Sequence, residues 1–215
     1  MKKTLDRIFI DGLSGMAQGL FATLIIGTII QQIGAMVTGN TGAWIVLIGK
    51  VAAAMTGAGI GVGVARKFEA SQLVVVSAAT AGMVGAFAGK ILSGEILQNG
   101  AIVLAGPGEP LGAFVAAYLA IEVGILIAGK TKLDILITPL VTIGVGSAVG
   151  LFVGPPISKF MAWIGSLINW GTEQQPLIMG IVVSVLMGMV LTLPISSAAI
   201  GIVLNLSGLA AGAAT

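Results

Sequence analysis

Between short clusters of charge, this chain reads as apolar runs about as long as a bilayer is thick. They extend from about Gly19 to Ile33, Trp44 to Ala65, Leu73 to Ile91, Leu111 to Ala128, Ile135 to Val153 and Leu177 to Leu193. A hydrocarbon core of about 30 Å takes about 20 apolar residues of α-helix. A water-soluble domain of 215 residues has no interior large enough to hide so many such runs. Only 8% of the residues are charged, against about 25% in soluble domains. The runs therefore predict an all-α polytopic membrane protein: about six transmembrane helices, a Pro-broken or re-entrant segment and amphipathic interfacial helices.

The 33 glycines fit that solvent. Each would cost a soluble helix about 1 kcal/mol, whereas in a membrane small residues let backbones approach closely. Pairs such as Gly57/Gly61, Gly59/Gly63, Gly85/Gly89 and Gly146/Gly150/Gly154 repeat at i, i+4. They predict tight helix packing and a helix-mediated homodimer. The run Gly57 to Gly63 lies inside an apolar span rather than after a strand, so it is no dinucleotide loop.

Residues 1–18 interleave Leu5, Ile8, Phe9, Leu13 and Met16 with Lys2, Lys3, Asp6, Arg7 and Asp11. That spacing predicts an amphipathic helix at the cytoplasmic surface that leads into the membrane. Ile157 to Trp170, following Gly154-Pro155-Pro156, reads as a second interfacial helix. With the N-terminus inside, inner segments hold Lys2, Lys3, Arg7, Arg66, Lys67, Lys130 and Lys132, and outer segments hold Lys90 and Lys159. This asymmetry predicts a cytoplasmic N-terminus. The basic residues form no stripe with aromatics, so nucleic acid is not an expected partner, and lipid is. Cysteine and histidine are absent, so no disulfide, metal site, cofactor or phosphohistidine is expected on this chain.

Polar groups within apolar sequence mark candidate sites. Glu122 lies two-thirds along the fourth span; it is either a solute or proton ligand, or a helix-paired carboxylate near the cytoplasmic end. Lys50 suits a side chain that snorkels to the interface, and Asp11 a solvated face. Gly106-Pro107-Gly108-Glu109-Pro110 cannot be regular helix. Glu109 then either caps the fourth span or faces a polar solute from a re-entrant loop. Pro194, between Thr192 and Ser196-Ser197, interrupts a long apolar stretch. A break at membrane depth is tolerated within protein or beside a water-filled cavity, and broken transporter helices hold substrate. Ser196, Ser197 and Asn205 offer neutral hydrogen-bonding groups suited to a hydroxylated solute. A Pro-kinked helix with serines bonded back to the backbone is the plain alternative. The candidate substrate-binding set is Glu109, Glu122, Thr192, Pro194, Ser196, Ser197 and Asn205, and no residue is assigned a catalytic role.

Several stretches carry a family resemblance. They are Gly106 to Phe114, Gly129-Lys-Thr-Lys-Leu-Asp-Ile135, Pro176 to Gly180, Leu186 to Ile200 and Leu206 to Thr215. Together they resemble the enzyme IIC-like membrane proteins of the phosphoenolpyruvate-dependent sugar phosphotransferase system, in the branch that includes a clostridial haemolysin regulator. The resemblance implies one transmembrane domain over 1–215, C-terminally incomplete, with 195–215 a broken or re-entrant segment. It implies a bacterial cytoplasmic-membrane permease component that binds and moves a small sugar or polyol, with soluble IIA- and IIB-type subunits as partners. At most this chain is the membrane component of a sugar phosphotransferase. Better-studied branches place a His and a Glu near the sugar. The lack of His here keeps an alternative open: a membrane sensor or regulator that retained the fold without sugar phosphorylation.

Overall fold

A computed structural model describes residues 6–172 and, beyond them, Ile181, Ser184, Val185 and Gly188. The described chain is helical apart from one small hairpin. Helix α1 runs over Arg7–Met36 and contains two π-helical stretches, Arg7–Gly12 and Phe21–Ile25. Helices α2 (Asn40–Ala54) and α3 (Thr56–Lys67) follow, then α4 (Gln72–Ser93). The two-residue strands β1 (Leu97–Gln98) and β2 (Ala101–Ile102) pair antiparallel, Leu97 opposite Ile102. Helices α5 (Pro110–Ile127) and α6 (Asp134–Thr172) complete the described fold.

Four of these helices, α1, α4, α5 and α6, are long and apolar enough to cross a membrane. The pair α2 and α3, bent by 50° at Met55, makes a fifth span if counted as one. The bend keeps its polar groups satisfied. Met55 N–H donates to the carbonyls of Val51 and Ala52, and the buried Thr56 hydroxyl to Ala53 O at 2.6 Å. Of the sixth expected run only Ile181, Ser184, Val185 and Gly188 are described, all helical, and the Pro194 break lies outside the described residues.

The N-terminal segment runs without a break into the first span as α1. Leu13, Met16, Leu20 and Leu24 recur every three or four residues and are all buried, which makes them one continuous face of α1. Gly15 and Gly19 of α1 lie against the backbone of Gly63 and Gly59 of α3; a Cβ at Gly15 would stand 2.7 Å from Gly63 O. Glycine alone permits that approach, and in lipid it is packing, rather than removal of apolar surface from water, that joins helices.

The chain also continues through Gly154-Pro155-Pro156, where an end was expected. Helix α6 spans 39 residues and holds Pro139, Pro155 and Pro156 within it. Each proline removes one backbone donor. Membrane helices tolerate this where neighbours re-satisfy or bury the freed groups, and α6 is held along α4 and α5. Gly146 meets Ala81 and Ala120, Gly150 meets Gly85 and Ala116, and Gly154 meets Ala88. The glycine stripes thus face inward, within one chain. Phe152, Leu140 and Ile135, by contrast, are exposed on the exterior, as a lipid-facing surface requires.

Candidate functional site: a polar cavity at one end of the bundle

The connection between α4 and α5 folds back onto α4. Gly94 ends the helix in the left-handed conformation at φ +76°. Asn99 and Gly100, both at positive φ, turn the hairpin, the pattern of a tight two-residue turn. Ile96 N–H donates to Lys90 O at 3.2 Å, and Val103 N–H to Ile96 O at 2.8 Å. The chain then descends beside the helix, and Glu109 N–H donates to Ala86 O at 2.7 Å. Ala86 lies seven residues before Ser93, or about 10 Å back along the axis.

Gly108 makes that descent possible. Its φ is +71°, and a Cβ there would stand 2.7 Å from Ala86 O; both facts exclude a side chain. Pro110 then begins α5 and is fully buried. The Glu109 carboxylate accepts a hydrogen bond from Leu111 N–H at 3.3 Å, so the capping role holds. Capping does not exhaust the residue, because Glu109 also lines a cavity.

This cavity has a volume of about 590 Å³, within the usual range for small-molecule sites. Helix α4 supplies Gly85, Gly89, Lys90 and Ser93; the connection supplies Glu95, Gly106, Gly108 and Glu109; α6 supplies Gly154 and Ser158. A Cβ added at Gly89 would meet nothing within 4 Å, so its surface is open. The Lys90 ammonium donates to Ala105 O at 3.0 Å and lies 5.6 Å from the centre of the Phe87 ring. It ties the fold-back loop to α4 while remaining in the lining. Burial pushes the Glu109 carboxyl up to about 7, and the Leu111 hydrogen bond opposes that shift. Acceptors and donors thus stand together around a space suited to a hydroxylated molecule.

Glu122 sits elsewhere. It lies thirteen residues beyond Glu109 on α5, about 20 Å along the axis. Its Oε1 is 2.9 Å from Arg7 Nε of α1. The Arg7 guanidinium also lies 4.5 Å from the centre of the Phe68 ring, and Phe68 meets Tyr118 edge-on at 5.8 Å. The two candidate carboxylates are therefore at opposite ends of α5, and Glu122 is in its helix-paired arrangement. Thr192, Pro194, Ser196, Ser197 and Asn205 lie outside the described residues.

Sequence reasoning singled out Glu109 but missed Lys90, Ser93, Glu95 and Ser158 as its neighbours. The available signal was Gly85/Gly89 ahead of Lys90, which read as packing alone. Arg7 was read as a surface charge; its partner is remote in sequence, and no local pattern links the two.

Fold and cavity together define a multi-pass helical membrane protein with a polar cavity at one end. The family model for Phosphotransferase system, EIIC, matches residues 10–215. The chain belongs to that family, which places it among the membrane components of sugar phosphotransferase transport. No curated protein and no solved structure matches it.

Proposed function

We propose that this protein is the permease component that binds and translocates a small sugar or polyol, and that the Glu109 cavity is where the solute first binds. The observation that carries the reading is the fold-back loop. It closes one space at a helix end lined by two carboxyls, a lysine and two serines. A carboxyl can accept from one sugar hydroxyl and, when protonated, donate to another. The basic residues favour a cytoplasmic N-terminus in a bacterial cytoplasmic membrane, which would open the cavity to the outside. In this reading Thr192, Pro194, Ser196, Ser197 and Asn205 complete the solute contacts further along the chain. Soluble IIA- and IIB-type subunits supply the phosphoryl group, lipid surrounds the protein, and two copies associate.

The test is binding of a panel of radiolabelled sugars and polyols to the purified protein in lipid nanodiscs. At least one is expected to bind, with affinity at least about tenfold weaker when Glu109 is replaced by Ala and its hydrogen bonds to the solute are lost. Binding of none at millimolar concentration would overturn the reading.

One observation favours a second reading, a membrane sensor without coupled phosphorylation: the chain holds no histidine. Phosphoenolpyruvate-dependent labelling of a bound sugar by membranes supplied with soluble phosphotransfer proteins separates the two. Labelled sugar phosphate supports the permease, and solute binding without it supports the sensor.

A further inference from the structure

The ionisable groups around the cavity are few and unequally partnered. Helix α4 contributes Lys90, whose ammonium already bonds Ala105 O and lies over Phe87. The following turn contributes Glu95. Helix α6 contributes Gly154 and Ser158 but nothing ionisable; its Lys159 is exposed and outside the lining. Along α5 the next charged residue is Glu122, at the far end and paired with Arg7. Among the described residues Glu109 has one hydrogen-bond donor, Leu111 N–H on Oε1, and no ion pair. Two carboxyls thus share a cavity whose single lysine is already engaged.

A solute filling this space displaces the water that solvates Glu109. Removing water disfavours the charged form of a carboxyl. A neutral carboxyl keeps Oε1 as acceptor and gains a donor on Oε2, suited to a solute hydroxyl. We propose, building on the sugar-site reading, that the cavity binds its solute together with one proton, held on Glu109 and returned to water when the solute leaves. The proton comes from bulk solvent, and no covalent bond to the solute forms or breaks. Burial already sets the empty-site carboxyl near neutrality, at about 7, so the linkage falls where a small pH change alters occupancy. Linkage is reciprocal: solute raises proton affinity, and protons raise solute affinity. A proton gradient would then bias loading of the site independently of any phosphoryl transfer.

The experiment uses the full chain in nanodiscs, with glucose, N-acetylglucosamine and mannitol as the first probes. Affinity is expected to be constant at acid pH, to weaken by about tenfold per unit as pH rises above the empty-site value of about 7, and to level off above that of the solute-bound carboxyl. A pH-indicator dye is expected to show uptake of about one proton per solute bound on the alkaline side. Glu109→Gln carries no proton to lose, so any binding it retains is expected to be flat with pH. Infrared difference spectra give a readout that needs no solute. A protonated-carboxyl band that titrates near neutrality in the wild type and is missing in Glu109→Gln supports the assignment. A flat affinity between about pH 5 and about pH 9 in the wild type would overturn the proposal, as would an unchanged pH slope in Glu109→Gln, or no such band. If no probe binds at any pH, the sugar-site reading fails, while the infrared titration still decides whether Glu109 carries the proton.

Discussion

Glu109 and Glu122 show how two carboxylates on one helix come to differ. Glu122 has a guanidinium 2.9 Å away, whereas Glu109 has one backbone donor and a buried setting that raises its proton affinity. The sign of the stability effect follows. With a folded-state value of about 7 above the ordinary 4.5, Glu109 contributes fully below the ordinary value, and that contribution is lost as pH rises through about 7. The thermal midpoint is expected to fall as pH rises across this window, and to fall less in Glu109→Gln, as read by tryptophan fluorescence. For the other carboxylate, Glu122→Gln leaves Arg7 without its counter-charge. Both side chains are part-exposed, so the expected loss is about 1 kcal/mol. The swap Arg7→Glu with Glu122→Arg is expected to recover part of it. A third residue is diagnostic for the loop. Gly108→Ala meets both a left-handed φ and Ala86 O, and is expected to cost about 1–3 kcal/mol and to open the loop to protease. Glu109 was legible because glycines and prolines around it forbade a helix. Lys90 and Ser158 were not, because their meeting depends on how α4 and α6 cross.

At the scale of elements, the apolar runs matched helices wherever a turn signal was also a chemical necessity. Gly129 and Asp134 illustrate this: the Asp134 carboxylate accepts from Gly129 N–H at 2.8 Å and from the Thr138 hydroxyl at 2.6 Å, closing the turn into α6. Gly154-Pro155-Pro156 misled because two prolines normally stop a helix. The local rule fails where neighbouring helices hold the backbone on both sides. The amphipathic N-terminal pattern predicted a helix leading into the membrane, and α1 is continuous over Arg7–Met36. Alternating polarity identifies a face, but not whether lipid surface or another helix will cover it. The glycine stripes were legible as packing, yet they pack within the chain and leave the expected homodimer without that support. Gly150→Leu is therefore expected to prevent folding of the single chain, because its side chain must enter the space held by Gly85 and Ala116. Size-exclusion chromatography in detergent should show aggregate rather than a clean monomer peak. A shift from dimer to well-folded monomer would instead place Gly150 between copies.

For the whole molecule, composition alone made the fold class legible, because so apolar a chain has one suitable solvent. The helix directions then set Arg66, Lys67, Lys130 and Lys132 at one end and the Glu109 cavity at the other. If the N-terminus is cytoplasmic, single cysteines at Asn40 and Glu95 are expected to react with an impermeant maleimide from outside. Cysteines at Arg66 and Lys130 are expected to react only after the membrane is opened, and outside labelling at Lys130 would refute the orientation. The proposed solute site is the cavity between α4, the fold-back loop and α6. Gly89 offers the sharpest test, because a Cβ there would meet no atom within 4 Å and the residue lines the cavity. The measurement is equilibrium binding of the best solute from the panel to wild type and to Gly89→Leu, beside the thermal midpoint of each. Affinity is expected to be at least about tenfold weaker in Gly89→Leu, a loss of at least about 1.4 kcal/mol, with no fall in the midpoint. Unchanged affinity in a folded Gly89→Leu would contradict the proposed site.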